Sequence, residues 1–579
     1  MKPIILVISL LCGFYSYSQL TVRNNAMIYA TDDYIYVEDD VDLTEPASKL
    51  YLRNGAQLLQ GTVITGNSGI GELSAQQNGT VHEFAYNYWC SPVGNVDADD
   101  FLNRSARINI LDDSTGSISS NDALFTASYE GISSPLTIST RWLYTFTTST
   151  NYSDWNYVGS SGDIPPGLGF TMKGTNGSGN NQLYDFRGKP NNGTISNLVT
   201  ADNFTLVGNP YPSAIDAHDI IWDANNRNTM DGSLFYWEQD LSVMAHQIEA
   251  YTGGYATYTI SEDEIIETFT PATFDTYNLD GSFNTTGSAT TSGKEARRYI
   301  PIGQGFMVKG KTGITGTNYF TLRNTHRIFY RQSDPDSEFF RITTNSRSAD
   351  IGANYKRFRL NIDFNDLYTR QLVQTFHESA TPGFDYGLES VHPQDVDSDA
   401  YWTIDNKAYV AEANVYNENL ILPLSFNLNE QTSLRIRILD IQNFSDSQAI
   451  YVHDIDSDIY VDLRQNNFEF ILPVGIHTNK YQITFTNNST LGINNDLLLE
   501  NLSIIQNNSI SELSVLNPTL LKLNQLKIFD VDGKEIFNLE LSNQTSFKTS
   551  TKNLNDGVYL VKLALKDERI ITKKIIVKN

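Results

Sequence analysis

The chain has 579 residues, with 41 Lys and Arg against 67 Asp and Glu, a formal charge of −26. That length exceeds a single hydrophobic core and implies about three or four domains, and the acidic balance excludes the basic face that a nucleic-acid binder needs. Aromatic residues reach 12% against only 19% charged ones, which excludes a disordered chain. The abundance of Tyr, Thr and Val favours strands over long helices. The predicted fold class is all-β, with several β-sandwich and β-ladder domains in tandem and a small C-terminal β-sandwich.

Residues 1–18 read MKPIILVISLLCGFYSYS. Lys2 precedes an apolar run over residues 4–11, and Ser16 and Ser18 flank Tyr17. This is the layout of a secretory signal peptide cleaved before Gln19. The apolar run falls far short of the roughly 20 residues of a membrane helix, and bulky Leu11 before Cys12 argues against lipid attachment. The expectation is a chain that passes through the periplasm to a secreted or outer-surface location, with no transmembrane segment. Loss of residues 1–18 leaves Cys90 as the single cysteine, so no intrachain disulfide can form. In its aromatic setting, YNYWCSP over residues 86–92, Cys90 reads as a buried, inert thiol.

Residues 19–84 alternate short β runs with turn signals, among them YIYV at Tyr34–Val37 and KLYLR at Lys49–Arg53. Asn54-Gly55 and Asn78-Gly79 are tight-turn dipeptides. A ladder of short strands follows, built as a partial solenoid or a hairpin stack.

The middle of the chain repeats itself. Residues 164–174 read IPPGLGFTMKG and residues 300–310 read IPIGQGFMVKG, seven identities in eleven at an offset of 136. Each copy has an aromatic strand upstream, RWLYTF at 141–146 and SLFYWE at 233–238, and a strand ending in Arg downstream, YDFR at 184–187 and YFTLR at 319–323. Further upstream, YWCSPV at 88–93 resembles LVGNPYPS at 206–213. Residues 85–200 and 201–345 are therefore read as two copies of one β module, a pattern that suits scaffolds better than paired active sites. GFMVKGKT at 305–312 matches the phosphate-loop pattern letter for letter. Its variable positions are strand formers and no helix pattern follows, so a nucleotide site is not expected. The Gly-x-Gly-Phe of both copies fits a bulge or a close backbone approach rather than a dinucleotide fingerprint.

Residues 346–495 carry short strands at regular spacing and read as one antiparallel β-sandwich. Two D-x-D-S-D runs punctuate it, Asp395, Asp397 and Asp399, then Asp454, Asp456 and Asp458. Alternate carboxylates can surround Ca²⁺, but the helical calcium loop also needs Gly at position six and Glu at position twelve. Ala400 and Ile459 stand at the sixth position and Asn406 and Gln465 at the twelfth. Solvated turns are the expectation, with Ca²⁺ the alternative and no other cofactor. No G-x-S-x-G or H-E-x-x-H run occurs and no His pair stands at ligand spacing, so no catalytic residues are assigned and the chain is not expected to be an enzyme. Aromatic rings that could stack on sugars are Trp142, Trp155, Trp222, Trp237 and the Tyr-rich run 251–258, with core packing as the competing role.

From residue 520 the charge inverts, with eleven Lys and Arg against seven Asp and Glu, a net +4 on the tail and −30 on everything before it. LKIFDVDGK at 526–534, LNDGVYLVKL at 554–563 and KKIIVK at 573–578 closely resemble the type A C-terminal sorting domain of type IX secretion substrates from Bacteroidota. The matching positions are Asp532, Gly533, Lys534, Gly557, Val558, Tyr559, Lys573 and Lys574. The usual opening Pro-Asn-Pro is here Leu516-Asn517-Pro518. The resemblance covers about residues 505–579 and implies a small β-sandwich, export by the type IX machinery, cleavage of the tail, and release or attachment to a surface glycan or lipopolysaccharide anchor. The body, at 206–217, 299–308 and 401–424, also resembles flavobacterial surface proteins that carry such tails. The sequence therefore reads as a secreted, surface-exposed or released non-catalytic protein of adhesin or scaffold type, with a polysaccharide-binding or polysaccharide-degrading protein as the alternative.

Overall fold

The computed structural model describes residues 19–62, 65–179, 181–277, 283–288, 294–337, 351–393, 396–487, 502–517, 521–541, 546–566 and 569–579. Strands dominate them; the α-helices described, Ala217–Ile221 and Asn226–Thr229, are single turns. Among the described residues no helix is long and apolar enough to cross a membrane. The chain divides into two units, the first comprising residues up to 237 with 244–246 and 293–347, the second 238–243, 247–292 and 348–579.

The first unit opens with stacked parallel strands. Met27–Thr31 pairs with Lys49–Arg53, and that strand with Glu72–Thr80, all parallel. Leu20–Val22, Val41–Leu43 and Ser68–Gly69 form a second parallel stack, and Tyr34–Val37 with Gln57–Gln60 a third. Leu20 lies opposite Val41, Met27 opposite Lys49 and Tyr34 opposite Gln57, so a coil advances 21 to 23 residues. Of the two arrangements open for the ladder, the structure is the solenoid. Asn54-Gly55 makes a coil corner rather than a hairpin, with both residues in the left-handed region at φ 50° and 81°. Asn78-Gly79 is no turn at all. It lies inside Glu72–Thr80, where a Cβ on Gly79 would come within 2.7 Å of the Tyr184 ring and 2.8 Å of the Trp89 ring. The same strand pairs antiparallel with Asn181–Pro190, so hydrogen bonds cross the expected boundary at residue 84. One core holds Leu50, Leu58 and Leu73 together with Trp89, Phe170 and Phe186.

The two repeat copies superpose in their pairing. In copy one Tyr86–Cys90 runs antiparallel to Gly169–Lys173, with Cys90 opposite Gly169 and Tyr86 opposite Lys173. In copy two Phe204–Gly208 runs antiparallel to Gly305–Gly310, with Gly208 opposite Gly305 and Phe204 opposite Lys309. The aromatic strands occupy the same next place, Tyr144 opposite Thr171 and Phe235 opposite Met307. The copies also interlock. The Cys90 amide donates to the Gly303 carbonyl (2.9 Å), and the Gly208 amide donates to the Gly167 carbonyl (3.2 Å). Trp89 bridges to Gln304 as Val207 does to Leu168. A Cβ on Gly305 would lie 2.7 Å from the Tyr88 carbonyl carbon and 2.8 Å from the Trp89 nitrogen, and one on Gly169 would lie 2.8 Å from the Val207 oxygen. Gly169 and Gly305 are therefore set by close backbone approach between copies, while Gly174 and Gly310 approach the Thr80 and Thr200 carbonyls.

In the second unit, two sheets share the strand Asp399–Ile404, whose first half pairs with Ile421–Leu428 and whose second half pairs with Lys407–Asn414. Their inner faces bury Phe358, Leu360, Trp402, Phe426, Ile436 and Ile483. Residues 247–292, which the sequence places in the second copy, group with this sandwich. Arg357 and Arg359 alternate on the strand Lys356–Phe364 and are buried; Arg357 donates to the Glu267 carbonyl (2.7 Å) and Arg359 to the Phe269 carbonyl (2.6 Å). Buried guanidinium groups need such acceptors, and the strand Glu267–Thr270 supplies them.

The tail is a small two-sheet sandwich. Ser503–Asn507, Glu512–Leu516 and Phe547–Ser550 form one sheet. Glu535–Glu540, Leu523–Phe529, Gly557–Leu565 and Ile570–Val577 form the other in that spatial order. Leu513, Val515, Leu526, Val561, Leu563 and Val577 fill its own core.

Candidate functional site

Side chains alternate along a strand, so Tyr86 and Tyr88 share one face of Tyr86–Cys90 while Trp89 goes to the core. Register carries that face across the sheet. Tyr88 is opposite Thr171, Thr171 opposite Tyr144, and Tyr144 opposite Tyr157, while Tyr86 is opposite Lys173. Directly opposed residues in antiparallel strands point the same way, which lines up Tyr157, Tyr144 and Tyr88 over three strand steps, about 14 Å.

Rings from the connecting segments border this row. Trp155 lies between Phe146 (4.8 Å) and Tyr88 (6.0 Å), and Trp237 stacks on Tyr88 at 6.3 Å. Trp142 packs edge-on to Tyr86 at 6.0 Å and stacks on His246 at 5.2 Å, with Tyr129 beside both. The Trp142 indole N–H donates to the Tyr129 carbonyl, 2.6 Å away. Tyr157 and Tyr129 are more than half exposed, at 55% and 52%, and Tyr144, Trp142 and Trp155 are half-buried, so these rings are partly open to solvent.

The groups seated on these rings are basic. The Lys173 ammonium lies 3.6 Å from the centre of the Trp142 ring and 4.7 Å from that of Tyr86, and 3.1 Å from His246 Nδ1. The Arg141 guanidinium lies 4.4 Å over Tyr129. Burial pushes the Lys173 amine down to about 6. Burial, and then the Lys173 charge, push His246 down to about 4. Burial, and then Tyr157, raise the Tyr144 phenol. Copy two fills the equivalent face differently: Leu206, Phe235 and Met307 are at most 2% exposed. In copy one Tyr88 and Thr171 are buried as well, but Tyr144 at the place of Phe235 is half-buried and continues to the exposed Tyr157, so this face opens to solvent at its outer strands.

Three of the predicted rings, Trp142, Trp155 and Trp237, meet at this face. Trp222 does not; it caps the helix Ala217–Ile221 under Arg227 (4.7 Å). In the 251–258 run, Tyr251 and Tyr258 are core residues, 5% and 0% exposed. Cys90 is fully buried opposite Gly208, and burial raises its thiol far above the ordinary range. The phosphate-loop look-alike is the strand Gly305–Gly310.

The acidic runs do not assemble. Asp395 lies outside the described residues. Asp399 is committed to Arg370 and His392, and Asp397 accepts from Asn429 (2.9 Å). Asp454 is buried, Asp456 pairs with Lys480 (3.3 Å) and Asp458 with His453 (3.1 Å). Among the described residues no three His, Cys, Asp or Glu side chains form a group that could hold a metal ion.

The sorting-motif positions cluster in the tail. Asp530 Oδ1 accepts the amides of Asp532 (3.0 Å) and Lys534 (2.9 Å) around Gly533 at φ 81°. Gly557, Val558 and Tyr559 begin a central strand, and the Tyr559 hydroxyl donates to the Asn555 carbonyl (2.9 Å). Lys573 and Lys574 are exposed on the edge strand Ile570–Val577.

A buried acid pair is absent from the sequence reading, because nothing in the spacing of Glu389 and Glu412 brings them together. Burial pushes Glu389 up to about 9, with the charges of Asp385 and Glu412 adding to it, and burial pushes Glu412 up to about 8. A carboxyl that holds its proton more tightly when folded than when unfolded, near 4.3, loses stability for the fold as pH rises from about 4.3 toward 9. Glu389→Gln removes that loss. Its melting temperature is expected to match or exceed the parent's at pH 8, with a flatter decline between pH 5 and 9; an unchanged decline in thermal melts counts against a buried, protonated Glu389.

Residues 119–485 match the family model described as Domain of unknown function (DUF8693), and residues 491–577 match that of Domain of unknown function (DUF8694). No curated protein matches the chain.

Proposed function

The chain belongs to the DUF8693 family, whose model spans residues 119–485, and from that premise we propose that it is a secreted, non-catalytic β-rich protein of adhesin or scaffold type, exported by the type IX secretion machinery of a Bacteroidota cell through its C-terminal domain. The observation that carries this reading is the tail. Its DGK turn, its Gly557-Val558-Tyr559 strand start and its exposed Lys573-Lys574 edge all fall in one small sandwich with its own core. The tail's +4 charge against −30 for the rest of the chain and the signal-peptide pattern of residues 1–18 support it. Passage is through the periplasm, and the body ends on the cell surface or is released.

Deleting residues 505–579 tests it by cell fractionation and surface labelling. The expected result is a folded body retained in the periplasm, while the full chain reaches the outside with its tail removed. A truncated body found at the surface in the usual amount refutes the export role.

A second reading, a polysaccharide-binding or polysaccharide-degrading secreted protein, is favoured by the open aromatic face of copy one. Tyr and Trp rings pair an apolar face with a polar edge, the surface that sugar rings need.

A further inference from the structure

We infer that the copy-one face is a binding site for a polysaccharide bearing uronic acids, its sugar rings stacking on Tyr157, Tyr144 and Trp155 and its carboxylates meeting Arg141. This rests on the second reading above and specifies its ligand.

Three features carry it. The row from Tyr157 to Tyr88 crosses four strands in register; Thr171 and Tyr88 at its inner end are buried, so the rings it presents to a sugar are Tyr157 and Tyr144, with Trp155 beside them. The rings are half-exposed and rigidly framed: Tyr144 and Tyr157 pack edge-on at 5.4 Å, and Trp155 is wedged against Phe146 and Tyr88. Little side-chain entropy remains to be lost on binding.

Charge complementarity selects the ligand's sign. In a chain of net charge −26, the Arg141 guanidinium rests over Tyr129, and the Lys173 amine lies deeper, over Trp142 and Tyr86. Arg141 is exposed and its planar fork suits a carboxylate. Lys173, 5% exposed and packed on Trp142, Tyr86 and His246, backs the face from below, so the contact to a carboxylate falls to Arg141. Copy two is an internal comparison: its equivalent positions Leu206, Phe235 and Met307 are buried, and it repeats only the inner pairing, Lys309 lying 5.5 Å over Phe204 where copy one has Lys173 over Tyr86.

Affinity electrophoresis of the purified full chain in gels containing alginate, neutral dextran or sulfated carrageenan tests the assignment. Retardation by alginate alone is expected. Tyr157→Ala and Arg141→Ala, both at exposed positions, each weaken it about three- to tenfold, whereas Tyr36→Ala, at an exposed ring of the solenoid, leaves it intact. Raising the salt lowers alginate affinity in the parent more than in Arg141→Ala. No retardation by alginate, or retardation unchanged in Tyr157→Ala, overturns the site; equal retardation by dextran or by carrageenan overturns the uronate assignment. Because the measurement uses purified protein, a chain exported through its tail that binds no alginate refutes this inference and leaves the export reading standing.

Discussion

Gly305→Ala is expected to cost about 3 kcal/mol or more of the first unit's stability, at the top of the range for overpacking. A single methyl group does this because of what it would meet: the Tyr88 carbonyl carbon at 2.7 Å, the Trp89 nitrogen at 2.8 Å and the Trp89 oxygen at 3.0 Å. All three are backbone atoms of a paired strand, so no rotamer change relieves the contact. Gly313→Ala is the control. Nothing lies within 4 Å of its Cβ, and only its φ of 82° is unfavourable, worth about 1–2 kcal/mol. Five of the six Trp residues, all but Trp402, lie in the first unit, so denaturant titration followed by Trp fluorescence reads this unit. A Gly305→Ala midpoint equal to that of Gly313→Ala contradicts the interlocked backbone.

Arg370→Met is expected to destabilise the second unit by about 3–5 kcal/mol, the usual cost of stranding one buried ion. Arg370 Nε and Nη2 donate to Asp399 Oδ1 and Oδ2 at 2.8 and 2.6 Å, and His392 Nε2 lies 2.6 Å from the same carboxylate. Both members of the pair are under 5% exposed. Burial alone raises the Asp399 carboxyl, but Arg370 and then His392 override it and hold it down at about 2. A carboxyl depressed in the folded state contributes stability above its unfolded value, near 3.9, and loses it as pH falls toward 2. The gap between parent and Arg370→Met therefore narrows on acidification between about pH 4 and pH 2. Adding Asp399→Asn to Arg370→Met recovers part of the loss at neutral pH, because no buried charge is left unpaired. Melting curves across this range check both statements, and a gap independent of pH refutes the role given to Asp399.

The repeat was readable because the residues that match between copies are those the interlock constrains. Gly169 and Gly305 sit where one copy's backbone passes the other's, with no room for a side chain. The all-β class followed from composition, rich in strand formers, and from short β runs between turn signals. What could not be read depends on distant partners. Asn54-Gly55 has the same left-handed chemistry at a hairpin turn and at a solenoid corner, so the dipeptide does not reveal whether the strands run parallel. Trp142, Trp155, Trp237 and His246 converge from separate segments, and no local pattern distinguishes them from Trp222. The D-x-D-S-D spacing of Asp395, Asp397 and Asp399 suggested calcium, but the partner of Asp399 comes from Arg370, 29 positions upstream. Residues 247–292 join the sandwich because Arg357 and Arg359 need carbonyl acceptors, and no signal within the segment itself states that need.

The contacts that lock the two copies occur in pairs with the roles exchanged: Cys90 to Gly303 and Gly208 to Gly167, Trp89 with Gln304 and Val207 with Leu168. Reciprocity of this kind defines the isologous interface of a two-fold dimer. The chain thus carries, in one covalent piece, the arrangement that two identical subunits would adopt. Identical subunits must present identical faces, whereas tethered ones are released from that rule. Joining the halves is what allows one of them to close over Leu206 and Phe235 while the other leaves Tyr144 and Tyr157 within reach of solvent.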